Sequence, residues 1–297
     1  MSESKQEKLK KDKQKIDETL SLLNLPEYIG LVSAKHGVFA YNRNDNAVGK
    51  SLEKYGEWCR AEVDFLTSLL SEGDIAIDVG AYIGTHTIPF AKKIGLRGRV
   101  ISFEPQRFNF YNLCTNVFLN GLFNTICYEL ALGDKESKLF VPVFDPMQKS
   151  NFGAVKLKKF SEGEEIRIVP LDYMKLTECK LIKIDVEGME VEVLEGARRL
   201  IQECKPFLYV ENNTVEGSET ILRKLASLNY RSYWAIETYY NSNNFFEDSE
   251  NIFGTVTEAN LFCIHNDMTM QITQLESVQD FNDNWKKALG RQLNRHL

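Results

Sequence analysis

Five carboxylates stand where apolar runs of this chain give out. They are Asp78, Glu104, Asp185 with Glu187 two residues on, and Glu211. Acids placed this way can accept hydrogen bonds from hydroxyls, hold a cation or take up a proton. The densest signal lies between Asp74 and Pro105. There the run Ile75 to Val79 leads into the turn Asp78-Val-Gly80-Ala-Tyr82-Ile-Gly84, a helix follows, and Val100 to Phe103 then ends in Glu104-Pro105. Gly80 lets the backbone come close to a ligand. Gly84 opens a helix whose free N–H groups and positive dipole end face the same crevice. A carboxylate at the position of Glu104 can accept two hydrogen bonds from a ribose diol at a strand's carboxyl end.

The turn also discriminates among nucleotides. A dinucleotide fingerprint needs three glycines as G-x-G-x-x-G, and here the middle glycine is missing while Tyr82 and Ile83 are bulky. Asp78 would repel a pyrophosphate but suits an ammonium group. The expected cofactor is therefore S-adenosylmethionine rather than a nicotinamide dinucleotide. The expected cofactor contacts are Asp78, Gly80, Tyr82, Gly84, Thr87 and Glu104, with Ala131 at the exit of the next strand flanking an adenine. Upstream, Tyr55 and Glu57 are candidates for folding over the cofactor, whereas Trp58 reads as packing.

The second cluster is Leu181 to Gly188, LIKIDVEG. Lys183 and Asp185 share one face of an extended strand, and a lysine inside an apolar run must find a carboxylate or a polar crevice. Asp185 and Glu187 are candidate general bases, with His86 and Lys183 completing the candidate catalytic set. A metal alternative takes Asp185, Glu211 and Asn212 as an all-oxygen set suited to Mg²⁺.

These residues need a scaffold, and the chain supplies alternating elements. Strand-like and helix-like segments follow one another until SYWAIE and LFCIHN, two late strands, lie adjacent. That pattern predicts an α/β fold: a mostly parallel sheet with helices on both faces and an antiparallel edge strand. Ile126 to Leu132 reads as the third core strand. The segment from Lys138 to Pro170 is irregular and suited to substrate contacts, with a basic lip at Lys156, Lys158 and Lys159. Residues 1–54 read as a polar helix and a small cap, 55–268 as the catalytic domain and 269–297 as a helical tail.

Composition narrows the partners. With 36 Lys and Arg against 42 Asp and Glu, the net charge of −6 and the lack of a basic stripe argue against nucleic acid. Six scattered cysteines without a C-x-x-C pair read as reduced. The first residues carry no apolar signal region and no stretch is long enough for a membrane span, so a cytoplasmic protein is expected. A homo-oligomer is left open.

On the motifs DVGAYIGTHT, ISFEP, ALGD and KIDVEGMEVEVLEGA, the chain resembles the FkbM family of SAM-dependent methyltransferases from about Tyr55 to His265. The resemblance implies a class I methyltransferase (Rossmann-like) fold with a seven-stranded sheet. It implies SAM contacts at Asp78, Gly80, Gly84, Glu104 and around Ala131 to Asp134. It also implies O-methylation of a sugar hydroxyl in a glycan or glycolipid, or of a secondary metabolite. The sequence departs from the family at Ala81-Tyr82, where an Asn is usual. Two rivals remain: a NAD-linked sugar-modifying oxidoreductase, and a catalytically silent adaptor on the same fold.

Overall fold

A computed structural model of the protein describes residues 11–12, 14–16, 18–19, 22–154 and 160–294; the basic lip and part of the N-terminal polar segment lie outside the described residues. The described chain opens with an antiparallel hairpin, β1 (Ile29–Ala34) and β2 (Gly37–Asn42). Helices α1 (Val48–Tyr55) and α2 (Arg60–Ser68) lead into the core. There follow β3 (Ile75–Val79), α3 (Thr87–Ile94), β4 (Arg99–Phe103), α4 (Arg107–Leu119) and β5 (Thr125–Tyr128). Next come β6 (Ala131–Leu132), β7 (Ser137–Val141) and β8 (Glu164–Val169). The second half runs β9 (Leu181–Ile184), α5 (Glu190–Gly196), α6 (Arg198–Cys204), β10 (Phe207–Glu211) and α7 (Val215–Ser227). It closes with β11 (Tyr230–Thr238), β12 (Thr257–His265), β13 (Glu276–Ser277) and α8 (Trp285–Asn294).

The main sheet has the order β13-β11-β12-β10-β9-β3-β4-β5. Strands β5, β4, β3, β9 and β10 are mutually parallel, and β12 runs antiparallel to both β10 and β11. This is the class I methyltransferase arrangement, with a short antiparallel β13 added at the edge. The reversed strand of the core is slotted one place in from β11, not outside it. The run Ile126 to Leu132 is not one strand either. It breaks at Glu129-Leu130 because Ala131 and Leu132 leave the sheet to pair with Ile168 and Val169 of β8 in a separate three-stranded sheet.

Period-two alternation explains why these runs form central strands. Ile77, Val79, Ile182, Ile184, Leu208 and Val210 face one hydrophobic layer with Leu194 and Leu200. Ala76, Leu181, Phe207 and Tyr209 face the other, against Leu66 of α2 and Phe90 and Ala91 of α3. Each fully buried branched side chain contributes about 1.5–3 kcal/mol relative to exposure. On that second face the register places Asp78 beside Lys183, and Lys183 beside Tyr209.

Three outlying pieces wall the carboxyl ends of these strands. The hairpin packs Val32, Phe39 and Tyr41 against Ile83 and Ile88, and Asn116 of α4 fixes it. Asn116 Oδ1 accepts from Ala40 N at 2.6 Å, and its Nδ2 donates to Ala40 O and Ile83 O at 3.0 and 2.9 Å. The loop after β7 is clamped to the end of the hairpin: Asn42 and Asn44 donate to Pro146 O, and Asn46 N donates to Ser150 O. The segment between β11 and β12 is held by Glu57, which accepts from Asn241 Nδ2 and Phe245 N at 2.8 Å each. Among the described residues, no helix is long and apolar enough to cross a membrane.

Candidate active site

Above the sheet's carboxyl edge these walls border a half-open cleft. Its floor is the turn after β3, with Gly80, Ala81, Tyr82, Thr85 and His86, and the turn after β9, with Lys183, Asp185, Val186 and Glu187. Glu104, Pro105 and Gln106 form one side; Trp58, Cys59, Glu62, Tyr239 and Glu258 form the other. Ala47, Val48, Asn151, Gly153 and Ala154 close the roof.

Glu104 ends β4 with both oxygens committed to main chain. Oε2 accepts from Tyr82 N and Oε1 from Gln106 N, each at 2.9 Å. Burial pushes its pKa up to about 7, against the pull of these hydrogen bonds. Next to it, the buried Gln106 Oε1 lacks a hydrogen-bond partner among the described residues. Beneath Pro105, a small apolar pocket is lined by Val79, Gly80, Phe103, Leu130, Ala131, Leu132, Val186 and Met189.

Lys183 organises the centre. Its ammonium lies 3.1 Å from Asp185 Oδ2 and 3.6 Å from Asp78 Oδ1, and donates to Gly80 O at 3.2 Å. Burial opposes the charge, but Asp185, Asp78 and Glu62 together drive its pKa well up, so it is an ammonium. Asp78 is fully buried and takes the Thr87 hydroxyl at 2.6 Å, and Thr87 in turn meets Ser102 at 2.8 Å. Asp78 and Thr87 therefore sit under the cleft floor and support it. Gly80 has φ of 78°, and the atom that a Cβ there would strike, at 1.7 Å, is Asp185 O. The close approach that requires glycine is one between two chain turns. Gly84, with φ of 92°, likewise faces Leu113 and not the cleft.

His86 is buried at the start of α3, with Nε2 standing 2.7 Å from Glu62 Oε1. Glu62 also accepts from Asn260 Nδ2 at 3.1 Å. Further out, Glu258 takes the Tyr239 hydroxyl; burial, Asp185 and Glu62 raise its pKa well above the carboxylate range. Tyr239 packs on Trp58 with ring centroids 4.7 Å apart.

Some expected residues are turned elsewhere. Tyr55 is buried and gives its hydroxyl to Glu250 O at 2.8 Å, and Glu57 is consumed by the Asn241–Phe245 segment. Both brace a wall; neither lines the cleft. Asn212 donates to Ser218 at 3.0 Å and lines a small pocket with Glu187 and Glu211. Asp185, Glu187 and Glu211 bring one oxygen each within 4.8 Å of one another. Burial and the neighbouring Asp185 and Glu187 raise the Glu211 pKa well above the usual range. All six cysteines are free.

Glu62, Gln106, Tyr239 and Glu258 escaped the reading of the sequence. Glu62 carried one usable signal: an acid next to Val63 on the inward stripe of an amphipathic helix just before the glycine turn. Glu258 carried none, because it begins a strand directly after a polar loop.

The family model for the methyltransferase FkbM domain matches residues 78–232. No curated protein sequence matches this chain. Among solved structures, the chain is similar to methyltransferase FkbM from Methylobacillus flagellatus KT, with 20% identity and a TM-score of 0.43. The match covers 65% of this chain and 44% of that one, so this chain spans less than half of that protein's length. It is also similar to a SAM-dependent O-methyltransferase from Thermotoga maritima, with 12% identity and a TM-score of 0.45, covering 82% and 79% of the two chains. A SAM-dependent methyltransferase from Aquifex aeolicus matches with 16% identity and a TM-score of 0.40, covering 72% and 93%.

Proposed function

The family model spans more than half of the chain, so the protein belongs to the FkbM methyltransferase family, and on that premise we propose that it methylates a hydroxyl of a sugar or secondary metabolite with S-adenosylmethionine. The observation that carries the cofactor reading is Glu104. It is a buried carboxylate at a parallel strand's carboxyl end, beside the Gly80 turn, with an unpartnered Gln106 oxygen and an apolar pocket adjoining. In this reading Glu104 accepts the ribose hydroxyls, Gln106 faces the adenine amino group, and the pocket at Ala131 takes the ring. Bound S-adenosylmethionine would supply an electrophilic methyl group for transfer to the acceptor oxygen.

What remains for the protein is alignment and proton removal. Lys183 stays an ammonium and so positions Asp185. A carboxylate already facing that ammonium is a weak acceptor for a second proton. His86 is the better base: its ring lines the cleft with Nε2 2.7 Å from Glu62 Oε1, and that acid would steady the imidazolium formed when the ring takes the hydroxyl proton. The test combines calorimetry with labelled cofactor. S-adenosylhomocysteine binds and NADH does not, Glu104→Ala loses that binding, and label passes to a sugar hydroxyl. NADH binding without S-adenosylhomocysteine binding would overturn the reading.

A metal-assisted version draws on the convergence of Asp185, Glu187 and Glu211, whose mutual repulsion a hard cation such as Mg²⁺ would relieve. Turnover that EDTA abolishes and Mg²⁺ restores favours it. Full turnover in EDTA removes the metal-assisted version and leaves proton removal to a side-chain base.

A further inference from the structure

The charges lining the cleft do not balance. Five carboxylates (Glu62, Glu104, Asp185, Glu187 and Glu258) face it, against one lysine and one histidine. Lys183 is taken by Asp78 and Asp185, and Glu104 by two main-chain N–H groups. At the opposite wall Glu62 meets neutral Asn260, the Tyr209 hydroxyl and the imidazole of His86. Glu258 pairs with no lysine or arginine among the described residues; the group it holds is the Tyr239 hydroxyl.

The same wall is aromatic. Trp58 and Tyr239 meet at 58° with their centroids 4.7 Å apart, and Phe253 backs them at 6.5 and 5.5 Å. Both rings line the cleft beside Glu62 and Glu258. An aromatic corner beside crowded acids suits an organic cation: the ring faces attract the charge, and the half-enclosed site strengthens the attraction of the acids. A neutral sugar could use the rings but would bring no positive charge to relieve the crowding of Glu258 with Glu62 and Asp185.

We infer that the acceptor is a hydroxyl compound bearing a protonated amine, seated between Trp58, Tyr239, Glu62 and Glu258. This deepens the methyl-transfer reading of the cleft and rests on it. An aminoglycoside-type sugar or an amino alcohol meets the description; an N-acylated sugar does not.

The test uses matched pairs of methyl glycosides in the gluco, galacto and manno series, each as the free amine, the N-acetyl amide and the plain alcohol. Binding is measured to the full chain saturated with S-adenosylhomocysteine, in EDTA, at neutral pH. The expected result is that at least one free amine binds about tenfold or more tightly than its two neutral partners. Glu258→Gln should erase that margin while leaving S-adenosylhomocysteine binding intact. Should Glu258→Gln fail to fold, the wild-type margin and its shrinkage with added salt decide the matter. Neutral members binding as tightly as, or more tightly than, the amines in every series would overturn the inference. Labelled methyl transfer, with Mg²⁺ added, separates the two readings. An amine margin with no methyl on oxygen sinks the O-methyl reading and keeps the amine site. Methylation of plain alcohols without an amine margin does the reverse.

Discussion

Lys183 and Asp78 are register partners on adjacent parallel strands, and the ammonium of one lies 3.6 Å from the carboxylate of the other. The pair sits in the sheet itself, under the cleft. Removing its cation leaves Asp78 fully buried with the Thr87 hydroxyl as its remaining donor. Lys183→Met is therefore expected to cost about 3–5 kcal/mol of stability, and Lys183→Met with Asp78→Leu to recover part of it. Urea unfolding of both variants measures this. A loss below about 1 kcal/mol, the range of surface ion pairs, would show that the pair is solvated.

That relationship also shows what could be read in advance. Asp78 and Lys183 each interrupt an otherwise apolar run, so their burial and need for partners followed from composition and strand period. The side chains of Glu62, Tyr239 and Glu258 reach the cleft from elements nearly two hundred positions apart in sequence, and no local pattern announces such a meeting. Glu187 was not among the expected metal ligands. It comes toward Asp185 and Glu211 because the chain bends back there, with a φ of 56°.

Glu104 gives opposite pH signatures for folding and for binding. Its pKa in the folded protein, about 7, lies above its ordinary 4.5. The native state thus holds this proton more tightly than the unfolded chain. The stabilisation is fully present below the ordinary value and is lost as pH rises through about 7. Thermal unfolding of the wild type should weaken across that window relative to Glu104→Gln. Affinity for S-adenosylhomocysteine should move the other way and improve from pH 6 to 8, because the ionised carboxylate is the better acceptor for ribose hydroxyls. A flat affinity profile would place the ribose elsewhere.

His86→Gln is expected to lower kcat by about 10²–10⁴-fold while leaving S-adenosylhomocysteine binding within a factor of a few. Glu62→Gln should fall between that variant and the wild type, as the loss of an acid 2.7 Å from the imidazole would produce. Unchanged kcat in His86→Gln would pass the role of base to Asp185 or Glu187.

Asn116→Ala strands three main-chain groups of the hairpin junction: Ala40 N, Ala40 O and Ile83 O. At about 1 kcal/mol for each hydrogen bond, the loss is expected to be about 2–4 kcal/mol. It should be accompanied by faster protease cleavage near Lys35 and His36, at the tip of the hairpin. Stability loss without faster cleavage would mean that the hairpin is held by its apolar contacts alone.

Strands β6 and β8 pair side by side through Leu132 and Val169, and Gly133 N donates to Val169 O at 3.2 Å. The roof residues Asn151 to Ala154 therefore lie on an excursion whose two ends meet at one stapled point. Doubling such an excursion costs only about 0.6 kcal/mol in loop closure. In evolutionary currency this is a cassette. The roof can be lengthened, trimmed or exchanged, and new acceptors tried, without disturbing Glu104, Lys183 and the strand ends beneath.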